Sequence, residues 1–212
     1  MISPPAPLKK PIVILANGEF PVHPVPRNLL DKSGTIICTD GAADKLIKYG
    51  LKPNVTIGDF DSTNLSERKT PGLWIPAKSQ DRTDLQKALD WCIENNVSHV
   101  TILGAGGGRE DHTLGNMHNL ADYGNRMKLK MVTNHATITC VQGKNTIAAD
   151  SGQAVSIVAI HPVNSITVSG LKYPIVDEKL LPSSRAICNE TMNNEFSLNT
   201  TDSVWVFINH PD

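Results

Sequence analysis

The feature that most constrains this chain is a change of rhythm near residue 134. Before it, short apolar runs alternate with helical patterns. Ile12-Val13-Ile14-Leu15, Thr35-Ile36-Ile37-Cys38, Val55-Thr56-Ile57, Leu73-Trp74-Ile75, Val100-Thr101-Ile102-Leu103 and Leu129-Lys130-Met131-Val132 read as buried strands. Alternation of this kind predicts an α/β fold, a mostly parallel sheet flanked by helices. Ala43 to Tyr49 reads as a helix with Leu46 and Ile47 on one face and Gly50 at its end. A second helix starts near Thr83 and sets Leu85, Ala88, Leu89, Cys92 and Ile93 at the spacing of a buried face. A third follows Asp111, uses Leu114, Met117 and Ala121, and stops at Gly124.

After the change, the period is two. Ala136-Thr137-Ile138-Thr139-Cys140 alternates apolar residues with threonine, and Val155 to Ala159 and Val204 to Ile208 are read as strands of the same period. Gln142-Gly143, Ser151-Gly152, Ser169-Gly170 and Asn193-Asn194 punctuate these runs as hairpin turns. The expectation is two domains: an α/β domain over residues 1–133, then a small antiparallel β-sandwich over 134–212. Pro4 to Pro11 reads as a frayed leader.

A chain of 212 residues buries a core without disulfide staples. Its 20 Lys and Arg balance 21 Asp and Glu, so no overall basic field argues for a nucleic-acid partner. The apolar run Ile12 to Ala16 is too short for a membrane span or a signal-peptide core. The reading is a soluble, cytoplasmic protein. Cys38, Cys92, Cys140 and Cys188 stand too far apart for a metal knuckle or a redox pair, and read as free thiols.

Acidic residues fall just past the carboxyl ends of successive strands, where an open α/β sheet places its chemistry. Asp40 follows the strand ending at Cys38, Asp59 and Asp61 follow Ile57, and Asp81 and Asp84 come after the strand ending at Ile75. Asp-x-Asp at a strand end projects both carboxylates the same way, which suits a hard cation such as Mg²⁺. The same pair also suits a solvated turn, and Asp84 beside Thr83 also suits a helix start. Strand Val100 to Leu103 runs into Gly104-Ala105-Gly106-Gly107-Gly108-Arg109, with a helix after it. Bare amides at a helix start can cradle phosphate, and Arg109 adds a fork of donors. Neither a Walker A loop nor a dinucleotide fingerprint is present, and a plain tight turn is the competing reading. His112 reads as a helix-start residue. Together these groups point to metal-dependent phosphoryl chemistry.

Three motifs, taken in order, carry a resemblance. They are Gly58-Asp59-Phe60-Asp61-Ser62, Asp81-x-Thr83-Asp84-Leu85-x-Lys87-Ala88-Leu89, and Gly104-x-x-Gly107-Gly108-Arg109-x-Asp111-His112-x-Leu114-x-Asn116. With Gly170-Leu171-Lys172-Tyr173-Pro174, they make nearly the whole chain similar to the thiamine pyrophosphokinase family. The resemblance implies transfer of the terminal pyrophosphate of ATP to the hydroxyl of thiamine, leaving AMP. It implies a catalytic α/β domain, a thiamine-binding β-domain, and a homodimer with the active site at the subunit interface.

By matching positions, Asp40, Asp59, Asp61 and Asp84 are implied to hold Mg²⁺. Gly107, Gly108 and Arg109 would meet the phosphates of ATP, with Asp40, Asp111 and Asn116 at the nucleotide or its loop. Asp59, Asp61, Asp84 and Arg109 form the implied catalytic set, either Asp61 or Asp84 taking the alcohol proton. Thr83, Cys188, Asn189 and Met192 are the implied substrate contacts. Thr39-Asp40-Gly41-Ala42-Ala43-Asp44 stands where the family commonly has Ala-Asp-Gly-Gly-Ala-Asn. Cys188-Asn189 stands where it often has Ser-Asn, and Met192 lies near the place of a family aromatic. The competing readings are a diphosphokinase for a pterin-type alcohol, a nucleotide-binding regulator without turnover, and a metal-dependent glycosyltransferase.

Overall fold

A computed structural model describes residue 4 and residues 7–59, 72–77 and 79–211. The chain divides into two compact units, Met1–Asn134 and His135–Asp212. Asn134 closes the first unit because its side chain is bonded into it. Its Oδ1 accepts from the amides of Val22 at 2.8 Å and His23 at 3.1 Å, and its Nδ2 donates to Phe20 O at 3.0 Å.

The described strands of the first unit are β1 (Ile12–Leu15), β2 (Thr35–Thr39), β3 (Val55–Gly58), β4 (Leu73–Pro76), β5 (His99–Leu103) and β6 (Lys128–Val132). They pair in parallel in the order β6-β5-β1-β2-β3-β4. β1, β2 and β3 are buried along their whole length, which is why they read as continuous apolar runs. The chain leaves β1 toward β2 on one side and returns to β5 on the other. The crevice past the carboxyl ends of β1 and β5 is therefore the topological switch point, where open α/β sheets bind ligands.

The helices are α1 (Pro24–Asp31), α2 (Ala42–Tyr49), α3 (Asp84–Glu94) and α4 (Glu110–Asp122). α2 ends at Gly50 in the left-handed conformation, its amide donating to Ile47 O. α3 buries Leu85, Ala88, Leu89, Trp91 and Cys92, whereas Ile93, expected on that face, is half-buried. α4 departs further from its pattern. It buries Asn119 and Leu120, while Leu114 is 53% exposed, because the first half of this helix flanks the crevice rather than the sheet.

α1 was not among the expected helices, since Pro24 and Pro26 resemble loop punctuation. Both lie in the first turn, where a missing N–H costs no helical bond, and the His23 side chain accepts the amide of Val25 as cap. The leader reading also fails over Lys9 to Pro11. Lys9 and Thr35 exchange two hydrogen bonds of 2.8 Å, and Pro11 O receives the amides of Gly34 and Thr35.

The second unit is antiparallel, with β7 (Ala136–Ala148), β8 (Ala154–Ala159), β9 (Val163–Ser169), β10 (Ile175–Leu180), β11 (Asn189–Glu190) and β12 (Glu195–Asn209). β12 pairs with β7 along one edge. Its other edge takes β9 in the first half and β8 in the second. Inward residues of both branches, among them Val155, Ile157, Ile166, Val168, Phe196 and Val206, share one core. Gln142-Gly143 is not a hairpin turn: β7 runs through it, opposite a register shift between Thr200 and Val204. Gly143 has φ +72°, so the glycine bends the strand at this irregularity instead of ending it. None of the described helices is long and apolar enough to cross a membrane.

Candidate active site

A cavity of about 480 Å³ opens at the switch point of the first unit. Asp40, Asp59, Thr83 and Asp84 line it from the acidic side, and Gly107, Gly108, Arg109 and Asn116 from the glycine-rich turn. Thus the structure brings most of the residues singled out in this unit to one place. Asp61 lies outside the described residues.

Asp40 leaves β2 just before α2 and is 3% exposed; its Oδ1 accepts the amide of Gly41 at 2.8 Å. Asp59 follows β3 and is half-buried. Asp84 is the first residue of α3, where the positive end of the helix dipole favours a carboxylate. Its Oδ1 accepts from Lys87 Nζ at 2.9 Å, and the Lys87 side chain is only 10% exposed. Among the described residues no three His, Cys, Asp or Glu side chains lie close enough to cage a metal ion. Asp40, Asp59 and Asp84 make no such group by themselves, and Asp61, the fourth expected ligand, lies outside the described residues.

The glycine turn is set by its carbonyls. Gly18 N donates to Gly104 O at 2.7 Å, Glu19 N to Gly106 O at 2.8 Å, and Asn116 Nδ2 to Ala105 O at 2.9 Å. With those oxygens committed, the amides of Gly106, Gly107 and Gly108 donate to no acceptor among the described residues. Such a row of open N–H groups, running into the start of α4, is an arrangement that can accept phosphate oxygens. The turn depends on close approach: a Cβ on Gly104 would fall 2.5 Å from Ala16 O.

Arg109 does not point an unoccupied fork. Its Nε and Nη2 donate to the two carboxylate oxygens of Asp111 at 3.1 and 2.6 Å. That hydrogen bond is the main reason the Asp111 carboxyl is held down to about 2. Asp111 therefore orients Arg109 and is not itself part of the cavity lining.

The carboxyl end of β1 also belongs to the site, although no sequence motif marks it. Asn17 and Gly18 line the cavity, and their carbonyls accept from Lys45 Nζ at 2.9 and 2.7 Å. Desolvation lowers the Lys45 pKa. The strand-end rule, applied to β1 as it was to β2 and β3, would have found Asn17-Gly18; no spacing rule points to Lys45.

The residues expected to contact substrate from the second unit behave differently. The side-chain oxygen of Asn189 accepts the amides of Tyr173 and Glu190 at 3.0 and 2.9 Å, and its Nδ2 donates to Tyr173 O at 2.7 Å. Asn189 thus pins the Tyr173 segment. It also lines a second cavity of about 390 Å³ with Lys172, Tyr173, Ile175, Arg185 and Ile187. Cys188 has φ +57° and an exposed free thiol, its amide held by Ser156 Oγ at 3.0 Å. Met192 is 55% exposed. Neither Cys188 nor Met192 lines that cavity.

Residues 26–133 match the thiamin pyrophosphokinase catalytic domain, and residues 137–205 match the thiamin pyrophosphokinase vitamin B1 binding domain. The chain is 28% identical to thiamine pyrophosphokinase of Bacillus subtilis, over 96% of this chain and 100% of the relative. The crystal structure of a Bacillus subtilis thiamine pyrophosphokinase superposes with a TM-score of 0.80 at 26% identity, covering 95% of this chain and 99% of the other. That of the Geobacillus thermodenitrificans thiamin pyrophosphokinase does so with a TM-score of 0.79 at 26% identity, covering 95% and 97%.

Proposed function

The chain belongs to the thiamin pyrophosphokinase family, and on that premise we propose that it moves the pyrophosphoryl group of ATP onto the hydroxyl of thiamine. The products are thiamine diphosphate and AMP. The observation that carries this reading is the cavity at the switch point, where carboxylates from β2, β3 and α3 share a lining with open glycine amides. The match of residues 137–205 to a vitamin B1 binding domain favours thiamine over a pterin-type alcohol as acceptor.

The thiamine oxygen attacks the β-phosphorus, the bond from that phosphorus to the bridging oxygen of AMP breaks, and the hydroxyl proton leaves. A triphosphate carries four negative charges that repel the incoming oxygen, so catalysis is chiefly alignment and charge neutralisation. The amides of Gly106, Gly107 and Gly108 and the guanidinium of Arg109 take the phosphate oxygens. Asp84 or Asp61 accepts the alcohol proton; Lys87, bonded to Asp84, keeps that carboxylate in place.

Buried Asp40 and half-buried Asp59 offer only oxygen donors on one cavity, the set that suits Mg²⁺. That ion is usually held by one or two carboxylates together with substrate phosphates, so a complete protein cage is not required. With Asp61 and Asp84, they are the residues that would hold it, and when bound it would neutralise phosphate charge.

A homodimer with the active site at the subunit interface fits the exposed apolar side chains Tyr173, Val176, Leu181, Ile187 and Met192 of the second unit. In that assembly Cys188, Asn189 and Met192 lie toward thiamine. A cytoplasmic location fits consumption of ATP and four cysteines outside any disulfide. The test is to incubate purified protein with ATP, Mg²⁺ and thiamine and to identify products by mass. Thiamine diphosphate and AMP in equal amounts support the reading; ADP, or no reaction, removes it.

A further inference from the structure

The motif Asp81-x-Thr83-Asp84 leaves one position open, and in this chain Arg82 fills it. Arg82 lines the cavity just before α3. Its Nη1 donates to Asp90 Oδ2 at 2.8 Å and to the Tyr123 hydroxyl at 3.0 Å. The Tyr123 hydroxyl in turn donates to Asp90 Oδ1 at 3.1 Å, closing a ring of three side chains. Tyr123 is 2% exposed at the end of α4, and the Arg126 guanidinium stacks 4.5 Å from its ring centroid. The anchor is therefore fixed by two helices, although the Arg82 side chain itself is 53% exposed.

Among the described residues, the cavity-lining cations Arg82, Lys87 and Arg109 are committed to different degrees. Lys87 is paired with Asp84, and the Nε–Nη2 edge of Arg109 is taken by Asp111. Arg82 uses Nη1 alone, and its Nε and Nη2 bond nothing among the described residues. That edge is the one an arginine uses for bidentate contact with phosphate. A guanidinium tethered through one nitrogen loses less freedom on binding than a free one.

We infer that Arg82 is a further phosphate-binding residue of this site, held ready for the nucleoside triphosphate by Asp90 and Tyr123. The assignment rests on the pyrophosphokinase reading for its substrate class. Arg82 touches the triphosphate; Asp90 and Tyr123 are positioning residues that act through it.

The test compares Arg82→Gln, Arg82→Lys and Tyr123→Phe with the wild type in the full-length chain. Two quantities are read: steady-state KM and kcat for ATP and thiamine, and calorimetric binding of a non-hydrolysable ATP analogue without thiamine. Loss of a charge-assisted phosphate contact raises the ATP KM about tenfold or more in Arg82→Gln and weakens the analogue to the same extent. The thiamine KM stays unchanged. Arg82→Lys recovers part of the affinity, because a point charge replaces the fork. Tyr123→Phe shifts the ATP KM in the same direction by less, leaving the thiamine KM alone, a split that a purely structural role would not produce. Unchanged analogue affinity in folded Arg82→Gln overturns the inference, as does a Tyr123→Phe variant that raises both KM values equally. Because the analogue is measured without thiamine, absence of thiamine diphosphate formation by the wild type would refute the proposed function separately.

Discussion

A Cβ placed on Gly58 would fall 2.5 Å from the Cβ of Asp40. Gly58 ends β3 and Asp40 directly follows the neighbouring strand β2, so the buried carboxylate reaches the cavity through space that only a glycine leaves. Replacing Gly58 by alanine forces the Asp40 main chain or β3 to move, since the clash is with an atom next to the backbone. We expect Gly58→Ala to cost about 1–3 kcal/mol of stability, as overpacking does. Turnover should fall at least tenfold as Asp40 is displaced, measured beside urea unfolding on the same preparation. Full turnover would separate Asp40 from the chemistry.

Asp59 is expected to show the opposite balance. It is half-buried and lines the cavity beside Asp40. Asp59→Asn should leave the unfolding midpoint nearly unchanged while turnover drops by on the order of 10²–10³, the scale of losing one transition-state charge contact. Assays at saturating Mg²⁺ check this, and near-normal activity would refute the metal assignment.

These positions were readable because a strand end announces itself. Strands β2 and β3 are short, wholly buried runs of β-branched and apolar residues, so the first carboxylate after each is located by the pattern. The glycine turn after β5 was readable for the same reason. What the pattern does not encode is direction. Nothing in the order of residues told that Arg109 would turn its fork on Asp111, or that Asn189 would spend its amide on the Tyr173 backbone. Long-range partners were equally silent: Lys45 reaches back to the carbonyls of Asn17 and Gly18, and Asn134 to Phe20. α1 was hidden by its prolines, and Gly143 looked like a turn because a bulge and a hairpin share the need for positive φ.

Thr83 links fold and site at one residue. Its Oγ1 accepts the amide of Gln86, and the Gln86 side chain accepts the amide of Thr83, a complete capping box on α3. Thr83→Ala should cost about 1 kcal/mol, seen as a fall in Tm of about 2–4 °C for a chain of this size. Thr83→Ser retains the hydroxyl and should lose little. Because the cap also fixes the start of α3, where Asp84 sits, turnover should fall with Tm in the alanine variant and recover with serine.

The Arg109–Asp111 pair gives a pH signature that separates orientation from stability. The Asp111 carboxyl titrates at about 2 instead of the ordinary 3.8, chiefly because Arg109 donates to it. The folded value lies below the unfolded one, so the pair contributes fully above 3.8 and its contribution fades as pH falls toward about 2. Both side chains are largely exposed, at 74% and 62%, so Tm near neutral pH should barely respond to Arg109→Gln. Carbon-detected NMR titration should instead show the Asp111 midpoint rising toward its ordinary value in that variant. In parallel, Arg109→Ala should raise the ATP KM while sparing the thiamine KM if, as proposed, the lost group meets the phosphates of ATP. An Asp111 midpoint unmoved by Arg109→Gln would mean the two side chains are apart in solution, and an unmoved ATP KM would return the glycine turn to a purely structural role.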